Sequence, residues 1–225
     1  MTDVMTVVVI TCNYARFLAD AVRSVVAQTR RPRIVVIDDA STDETAMVAE
    51  RLLENDPDIE YRRLPDNIGL SRVRNLAAAS ITTDWIVFLD ADDWLDPHYV
   101  ERAEAWLETH PAVDVLTTDM TIIRDGRRRR VFRSRVPKRW SDLLARNTIV
   151  QTSVVRRALV ERIGGYDPAL DFEDWDFWIR VLKSGGRIDR LPGPHVFRRE
   201  HARNKSKICD ERAATARLRA KHAGP

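Results

Sequence analysis

Cysteine is scarce. Cys12 and Cys209 are the only two in 225 residues, and they lie far apart with no metal-ligand spacing. That argues against a disulfide framework or a thiolate metal site, and makes a reducing compartment the simpler assumption. No basic-then-apolar pattern opens the chain, and no apolar run is long enough to cross a bilayer. A soluble, cytoplasmic protein is therefore expected. Internal repeats and low-complexity linkers are missing too. So is the glycine-rich phosphate loop that follows the first strand of a dehydrogenase-type dinucleotide fold, which argues against that class. No nucleic-acid-binding motif is present.

What remains is a chain long enough for one domain, or one and a small appendage, with a large core. Its net charge of +3 is unevenly spread. Arg127-Arg128-Arg129-Arg130 and the tail from Arg199 to Lys221 are basic, and acids gather at Asp38–Glu44, Asp90–Asp96 and Asp167–Asp176. A basic patch can bind nucleic acid or anionic lipid. Without a motif to support it, the arginine run reads as a solvated turn and the tail as a solvated helix face. Nucleic acid is not expected as a partner. Peripheral membrane contact through the basic C-terminal segment stays open.

Thr6–Thr11 is a continuous β-branched run, hence a buried strand. Phe17, Leu18, Ala21, Val22, Val25 and Val26 then recur at helical spacing, and Arg33–Ile37 is a second strand. This βαβ length predicts a parallel pair. The second strand ends in Asp38-Asp39, which would face the crevice where parallel sheets bind ligands. Ser41 with Glu44 reads as a capping box for a helix over Asp43–Asn55. Ile59–Leu64 alternates like an exposed edge strand, and Leu70–Ala79 reads as a helix carrying Arg72, Arg74 and Asn75. An arginine there would suit a diphosphate. Further on come a strand at Val113–Thr117, a hairpin turn at Asp125-Gly126 and short helices at Trp140–Ala145 and Arg157–Ile163. The pattern also gives a strand at Val150–Val155, a helix opening at Phe172 and short strands at Arg187–Leu191 and Val196–Arg199. A polar loop over Arg199–Ser206 precedes a basic helix at Asp210–Lys221.

The most informative stretch is Phe88-Leu89-Asp90-Ala91-Asp92-Asp93. It follows Trp85-Ile86-Val87, so an apolar strand ends in three carboxylates within four positions. Close like charges repel and resist desolvation. One reading is a metal–diphosphate site, since Mg²⁺ and Mn²⁺ prefer carboxylate oxygen and share it with substrate phosphates. The other is a solvated acidic turn capping the helix that Asp96-Pro97 opens.

The order of these pieces resembles glycosyltransferase family two, the nucleotide-diphospho-sugar transferases of the GT-A fold. The matching stretches are Val8–Tyr14 with Phe17-Leu18, Val36–Asp43, Asn67-Ile68-Gly69-Leu70 with Arg74-Asn75, and Phe88–Asp93. Gly164-Gly165-Tyr166-Asp167, Glu173-Asp174, and Arg199 with His201 complete the series. The resemblance runs to about Ser206. It implies an α/β fold: a single Rossmann-like domain over 1–225 with a mostly parallel central sheet flanked by helices. Residues from about 1 to 120 would bind the nucleotide-sugar, about 121–206 would form the acceptor and catalytic half, and 207–225 the basic helix.

By the same resemblance, Thr11, Asn13 and Tyr14 border the nucleotide base and Asp39 holds it, with Asp38 and Arg74 nearby. Asp90-Ala91-Asp92 matches the acid–any–acid motif: Asp92 binds Mn²⁺ or Mg²⁺, and Asp90 sits near the ribose or the metal. Asp174 matches the general base of inverting members, with Glu173 the alternate, and the loop around His201 closes over the diphosphate. The implied activity is inverting, metal-dependent transfer from a nucleotide-sugar donor to a hydroxyl acceptor: a glycan, a lipid-linked glycan or a small molecule. Asp39 can only accept, and a pyrimidine imide N–H is a suitable donor to it, which favours a UDP- or dTDP-sugar. Cys12 stands where the family often has an aromatic residue, and Ile10 replaces a common proline. The acceptor-side extension of many subfamilies is expected to be short or absent.

Two rivals stand beside this reading. A nucleotidyltransferase wants a glycine-rich, lysine- or arginine-bearing loop after the first strand, and none is there. A non-catalytic sugar-nucleotide-binding module would tolerate loss of Glu173-Asp174, and this chain keeps them.

Overall fold

The β-branched run forms β1 (Met5–Thr11), every residue of which is buried. It lies in the middle of the first parallel set, paired on one side with β2 (Arg33–Asp38) and on the other with β4 (Trp85–Asp90). The computed structural model describes residues 4–202, 204 and 210–223. Between the strands run α1 (Ala15–Val26), α2 (Thr45–Asn55), the edge strand β3 (Glu60–Arg63) and α3 (Leu70–Ser80). Beyond β4 come β5 (Trp94–Leu95), α4 (Tyr99–Thr109), β6 (Val115–Arg124) and β7 (Arg127–Phe132). A 3-10 turn (Trp140–Leu144), β8 (Val154–Arg156), α5 (Arg157–Arg162), α6 (Glu173–Lys183), β9 (Ile188–Arg199) and α7 (Glu211–His222) complete the chain.

One sheet holds all nine strands in the order β3-β2-β1-β4-β8-β6-β9-β5, with β7 paired to β6. β8 runs antiparallel to both its neighbours, β4 and β6, so β6 points the same way as β4, and β9 is parallel to β6. One reversed strand thus leaves the carboxyl ends of β1, β2, β4, β6 and β9 on a common edge. Ligands bind at that edge in open α/β sheets. Alternation along β1 splits the core. Val7 and Val9 pack with Leu18, Val22 and Val25 of α1, while Val8 and Ile10 pack with Val73 and Ala77 of α3 and with Phe177 and Trp178 of α6.

Several local expectations need correction. Ser41 does not cap α2. Its Oγ accepts from Asn13 N (2.8 Å), and Asp43 instead accepts from Thr45 N (3.0 Å), because Asn13 pulls the β2 loop toward β1. The apolar run before β8 pairs only from Val154; Ile149 and Val150 are buried as core cover instead. The two short strands near the C-terminus are one, β9, whose pairing with β6 shifts register where Pro192-Gly193-Pro194 interrupt it. The arginine run is not a turn. The turn is Asp125-Gly126, with φ of 51° and 70°, the left-handed pair that a tight hairpin requires, and the arginines lie on β7 beyond it.

The C-terminal helix is docked by charge. Asp176 on α6, with no exposed surface, accepts from Arg180 (2.7 Å), His222 (2.8 Å) and Lys221 (2.7 Å). Burial pushes the Asp176 carboxyl up, but bonds from Lys221, Arg180 and His222 outweigh it and hold it below the usual range. Burial likewise lowers His222, against the pull of Asp176. Both groups therefore bind protons more weakly folded than unfolded. Stability falls with pH through His222 from about 6.5 downward, and through Asp176 below about 4. Urea midpoints measured from pH 7 to pH 3 should fall steeply, and Asp176→Asn should flatten the lower part of that fall.

Candidate active site

At the end of β4 the chain turns sharply: Ala91 N donates to Ile10 O (2.9 Å) and Asp93 N to Asp90 O (2.9 Å). The turn crowds Asp90, Asp92 and Asp93. Asp90 keeps 38 % of its side chain exposed, whereas Asp92 and Asp93 are buried. Burial raises the proton affinity of both Asp90 and Asp93. The neighbouring carboxylates, Asp92 above all, add to it, against the partial relief that Arg74 gives Asp90 and Arg198 gives both.

Asp92 is covered by the polar loop after β9. Its Oδ2 receives His201 Nε2 (2.9 Å) and Asn204 Nδ2 (3.0 Å). The His201 ring sits against Tyr14 and Phe17, with centroids 5.8 and 5.2 Å away. Arg199 fastens the base of this loop. It donates to Asp92 O (3.3 Å) and Asp20 (3.0 Å), and its guanidinium lies over Phe17 and Trp94. Lys205 and Ser206, also assigned to that loop, lie outside the described residues.

Arg74 joins the two acidic motifs. Projecting from α3 with 1 % exposure, it donates to Glu173 Oε1 (2.7 Å) and Asp90 Oδ1 (3.2 Å). The Gln151 amide, turned with its oxygen toward Arg74, accepts from Nε (3.1 Å), and the Tyr166 ring lies under the guanidinium at 5.4 Å. Burial works against the charge on Arg74, but Asp90 and Glu173 outweigh it, so the group stays a cation. Here the structure redirects an expectation: Arg74 is held inside the protein by two carboxylates.

α6 presents three acids in its first turn, Glu173, Asp174 and Asp176, each with its own partner. Glu173 faces Arg74, Asp176 faces α7, and Asp174 accepts from Asn147 Nδ2 (3.2 Å) and lines the cavity. The loop leading to α6 is pinned by Asn75, which exchanges bonds with Tyr166 N (2.7 Å) and Tyr166 O (2.8 Å). Gly165 backs onto that amide. A Cβ there would lie 2.3 Å from Asn75 Oδ1, and its φ of +71° already favours glycine.

The residues expected around the base lie together at the ends of β1 and β2, and most are engaged by protein. Asn13 accepts from Thr42 N (2.8 Å) and Asp43 N (3.2 Å). Asp38 accepts from Ser41 N (2.9 Å) and Tyr61 Oη (2.9 Å), and Asp39 from Ile68 N (2.7 Å) and Gly69 N (2.9 Å). Each carboxylate oxygen of Asp39 retains a second lone pair. The buried Thr11 hydroxyl has no partner among the described residues.

A cavity of about 590 Å³ opens beside this chain of charges, lined by Asp90, Asp93, Arg74, Glu173 and Asp174 at one end. Among the described residues no three His, Cys, Asp or Glu form a closed cage for a metal. The donor set still suits Mg²⁺ or Mn²⁺: hard carboxylate oxygens whose mutual repulsion a cation would relieve, with positions left for phosphate oxygen.

The same architecture occurs in solved structures. The chain superimposes on residues 1–349 of Staphylococcus aureus TarS in complex with UDP-GlcNAc with a TM-score of 0.75, at 22% identity over 91% of this chain and 61% of that one. A mannosyltransferase from Pyrobaculum calidifontis in complex with GDP-Man and Mn²⁺ gives 0.74, at 21% identity over 98% of this chain and 64% of that one. These define the fold as GT-A. The model for glycosyl transferase family 2 matches residues 6–164, and the chain belongs to that family. An uncharacterized glycosyltransferase of Nostoc sp. is 31% identical over 89% of this chain and 66% of its own length. The poly(ribitol-phosphate) beta-N-acetylglucosaminyltransferase TarS of S. aureus is 26% identical over 82% of this chain and 33% of its own length. The chain thus spans about two thirds or less of these relatives.

Sequence reading missed Asn147, Gln151, Arg198 and Asn204. Polar residues in irregular segments carry no period, and only the excess of polar groups after β9 hinted at Asn204. The central test is Arg74. Arg74→Met strands two carboxylates and should cost about 3–5 kcal/mol in urea unfolding. Arg30→Met, which breaks a partly exposed pair with Glu104, should cost less than about 1 kcal/mol.

Proposed function

We propose that this chain is the catalytic core of an inverting, metal-dependent glycosyltransferase that moves a sugar from a UDP- or dTDP-sugar to a hydroxyl acceptor. The observation that carries it is the link Asp90–Arg74–Glu173, which sets the acid–any–acid turn and Asp174 at one cavity. The neighbours in complex with UDP-GlcNAc, and with GDP-Man and Mn²⁺, support a sugar-nucleotide donor and a divalent cation. In this reading residues from about 1 to 120 hold the donor, with Thr11, Tyr14 and Asp39 around the base. Residues from about 121 to 206 receive the acceptor, and the helix beyond closes the wall. No helix among the described residues is long and apolar enough to cross a membrane.

Asp92, with Asp90, would hold Mn²⁺ or Mg²⁺, whose charge offsets that on the departing diphosphate. Asn147 orients Asp174, whose carboxylate takes the proton of the acceptor hydroxyl. That oxygen bonds to the anomeric carbon from the face opposite the diphosphate, and the electron pair of the broken C–O bond leaves with the nucleoside diphosphate. Glu173, engaged by Arg74, positions α6. His201 and Asn204 leave Asp92 or share it when the diphosphate enters.

Asp174→Asn should keep donor binding and lower turnover by roughly 10²–10⁴-fold. Near-native turnover would remove Asp174 from this role and leave Glu173→Gln to be assayed. Calorimetry should show UDP or dTDP binding more tightly with Mn²⁺ than with chelator, and more tightly than GDP. Asp92→Asn should abolish the metal effect, whereas Asp96→Asn, at the helix-capping end of the acidic stretch, should keep it.

A further inference from the structure

Four arginines also line the cavity. Arg130 on β7 and Arg198 on β9 flank Ile122 of β6 in register, so the three form a row across neighbouring strands. All three line the cavity, as do Arg146 and Arg219. Arg198 lines the cavity together with Asp90 and Asp93. The other three have different neighbours. Arg219 donates to the carbonyls of Leu144 (2.8 Å) and Ala145 (3.4 Å), and Arg146 lies 5.9 Å over the Phe132 ring. Among the described residues, Arg130, Arg146 and Arg219 have no acidic partner. Arg124, Arg129, Arg156, Arg190 and Arg217 in the same half of the chain are each paired to a carboxylate, so what distinguishes these three is that they lack such a pair and line a cavity. Asp171, which also lines the cavity, is taken by Arg217, Glu211 lines it too, and Glu200, which shares a neighbouring pocket with Arg130, is paired to Arg124. Between them lies an apolar strip of Met120, Ile122 and Phe132.

We infer that these arginines recognise an acceptor bearing anionic groups, phosphodiester or carboxylate, along an apolar strip that seats its carbon skeleton. The inference rests on the transferase reading above, because it assigns the cavity beyond Asp174 to the acceptor. Of the residues given to the donor, Asp90 and Arg74 line this cavity, whereas Thr11, Asn13, Tyr14, Asp39 and Asp92 do not, so the arginines away from the base are placed for a second ligand. Guanidinium groups bind phosphate and carboxylate through paired hydrogen bonds. In a concave, partly apolar site such contacts are screened less than on open surface.

Binding to the full chain with UDP and Mn²⁺ present should be measured for three probes: a phosphodiester-linked hexamer of glycerol, hexagalacturonate and maltohexaose. At least one anionic hexamer should bind about tenfold or more tighter than neutral maltohexaose. The tighter of the two anionic probes identifies the anion. The double variant Arg130→Gln/Arg146→Gln, at exposed positions that leave the core intact, should remove that preference while UDP affinity stays unchanged. Equal binding of all three probes, or a preference kept in the double variant, would overturn the inference and leave the transferase reading standing. A fall in UDP affinity in the variant would overturn it too, by giving these arginines to the donor. Failure of UDP to bind the native chain would overturn both.

Discussion

The buried guanidinium of Arg74 is the interaction on which the site depends. An arginine with almost no exposed surface is tolerable only if its charge is matched and its donors are used. Glu173, Asp90, Gln151 and the face of Tyr166 meet both demands. Because these partners come from β4, the segment before β8, the loop before α6 and α6 itself, meeting them fixes the relative position of four pieces of chain. The Asn75–Tyr166 exchange one turn along α3 reinforces the same arrangement. Two acids of the site, Asp90 and Glu173, are thus held by the demand of one buried cation.

Crowded carboxylates are positioned by giving each a different counter-group. Along the β4 turn, Asp90 has Arg74, Asp92 has His201 and Asn204, and Asp93 Oδ1 accepts from the backbone of Arg199 (3.0 Å). Along α6 the same division gives Glu173 to Arg74, Asp174 to Asn147 and Asp176 to the C-terminal helix. Helical geometry makes this possible, since successive residues point about 100° apart and can serve separate neighbours. The alternation of acids with Trp175, Phe177 and Trp178 has this origin: the rings fill the core between the charged directions.

Features with a local cause were legible in the sequence. β1, β2 and β4 read as continuous apolar runs because both their faces are buried, and Asp125-Gly126 announced its hairpin through two left-handed positions. The acids at the end of β4 stood out because charge there is costly without a purpose. Features with a distant cause were not legible. Ser41 satisfied a capping pattern, yet Asn13, 28 residues away, captured it. Arg74 read as a partner for a diphosphate because nothing nearby in sequence shows that Glu173, 99 residues on, will pair with it. The arginines of β7 are solvated as read, but the row that Arg130 makes with Ile122 and Arg198 appears only once the sheet is assembled.

The reversed strand β8 carries a consequence for biosynthesis. When the first hundred or so residues have left the ribosome, β1, β2, β3 and β4 can pair and α1 can cover one face. β4 then presents an open edge until β8 emerges, and an unpaired edge invites pairing with other chains. Arg74 meanwhile lacks Glu173, and Asp92 lacks His201, which follows it by 109 residues. The nascent chain therefore passes through a stage with a ready donor-side fold, an exposed strand and unmatched charges in its forming core. Its quality is decided when residues beyond 150 arrive, which makes the interval between synthesis of β4 and of β8 the period in which these segments most need protection from aggregation.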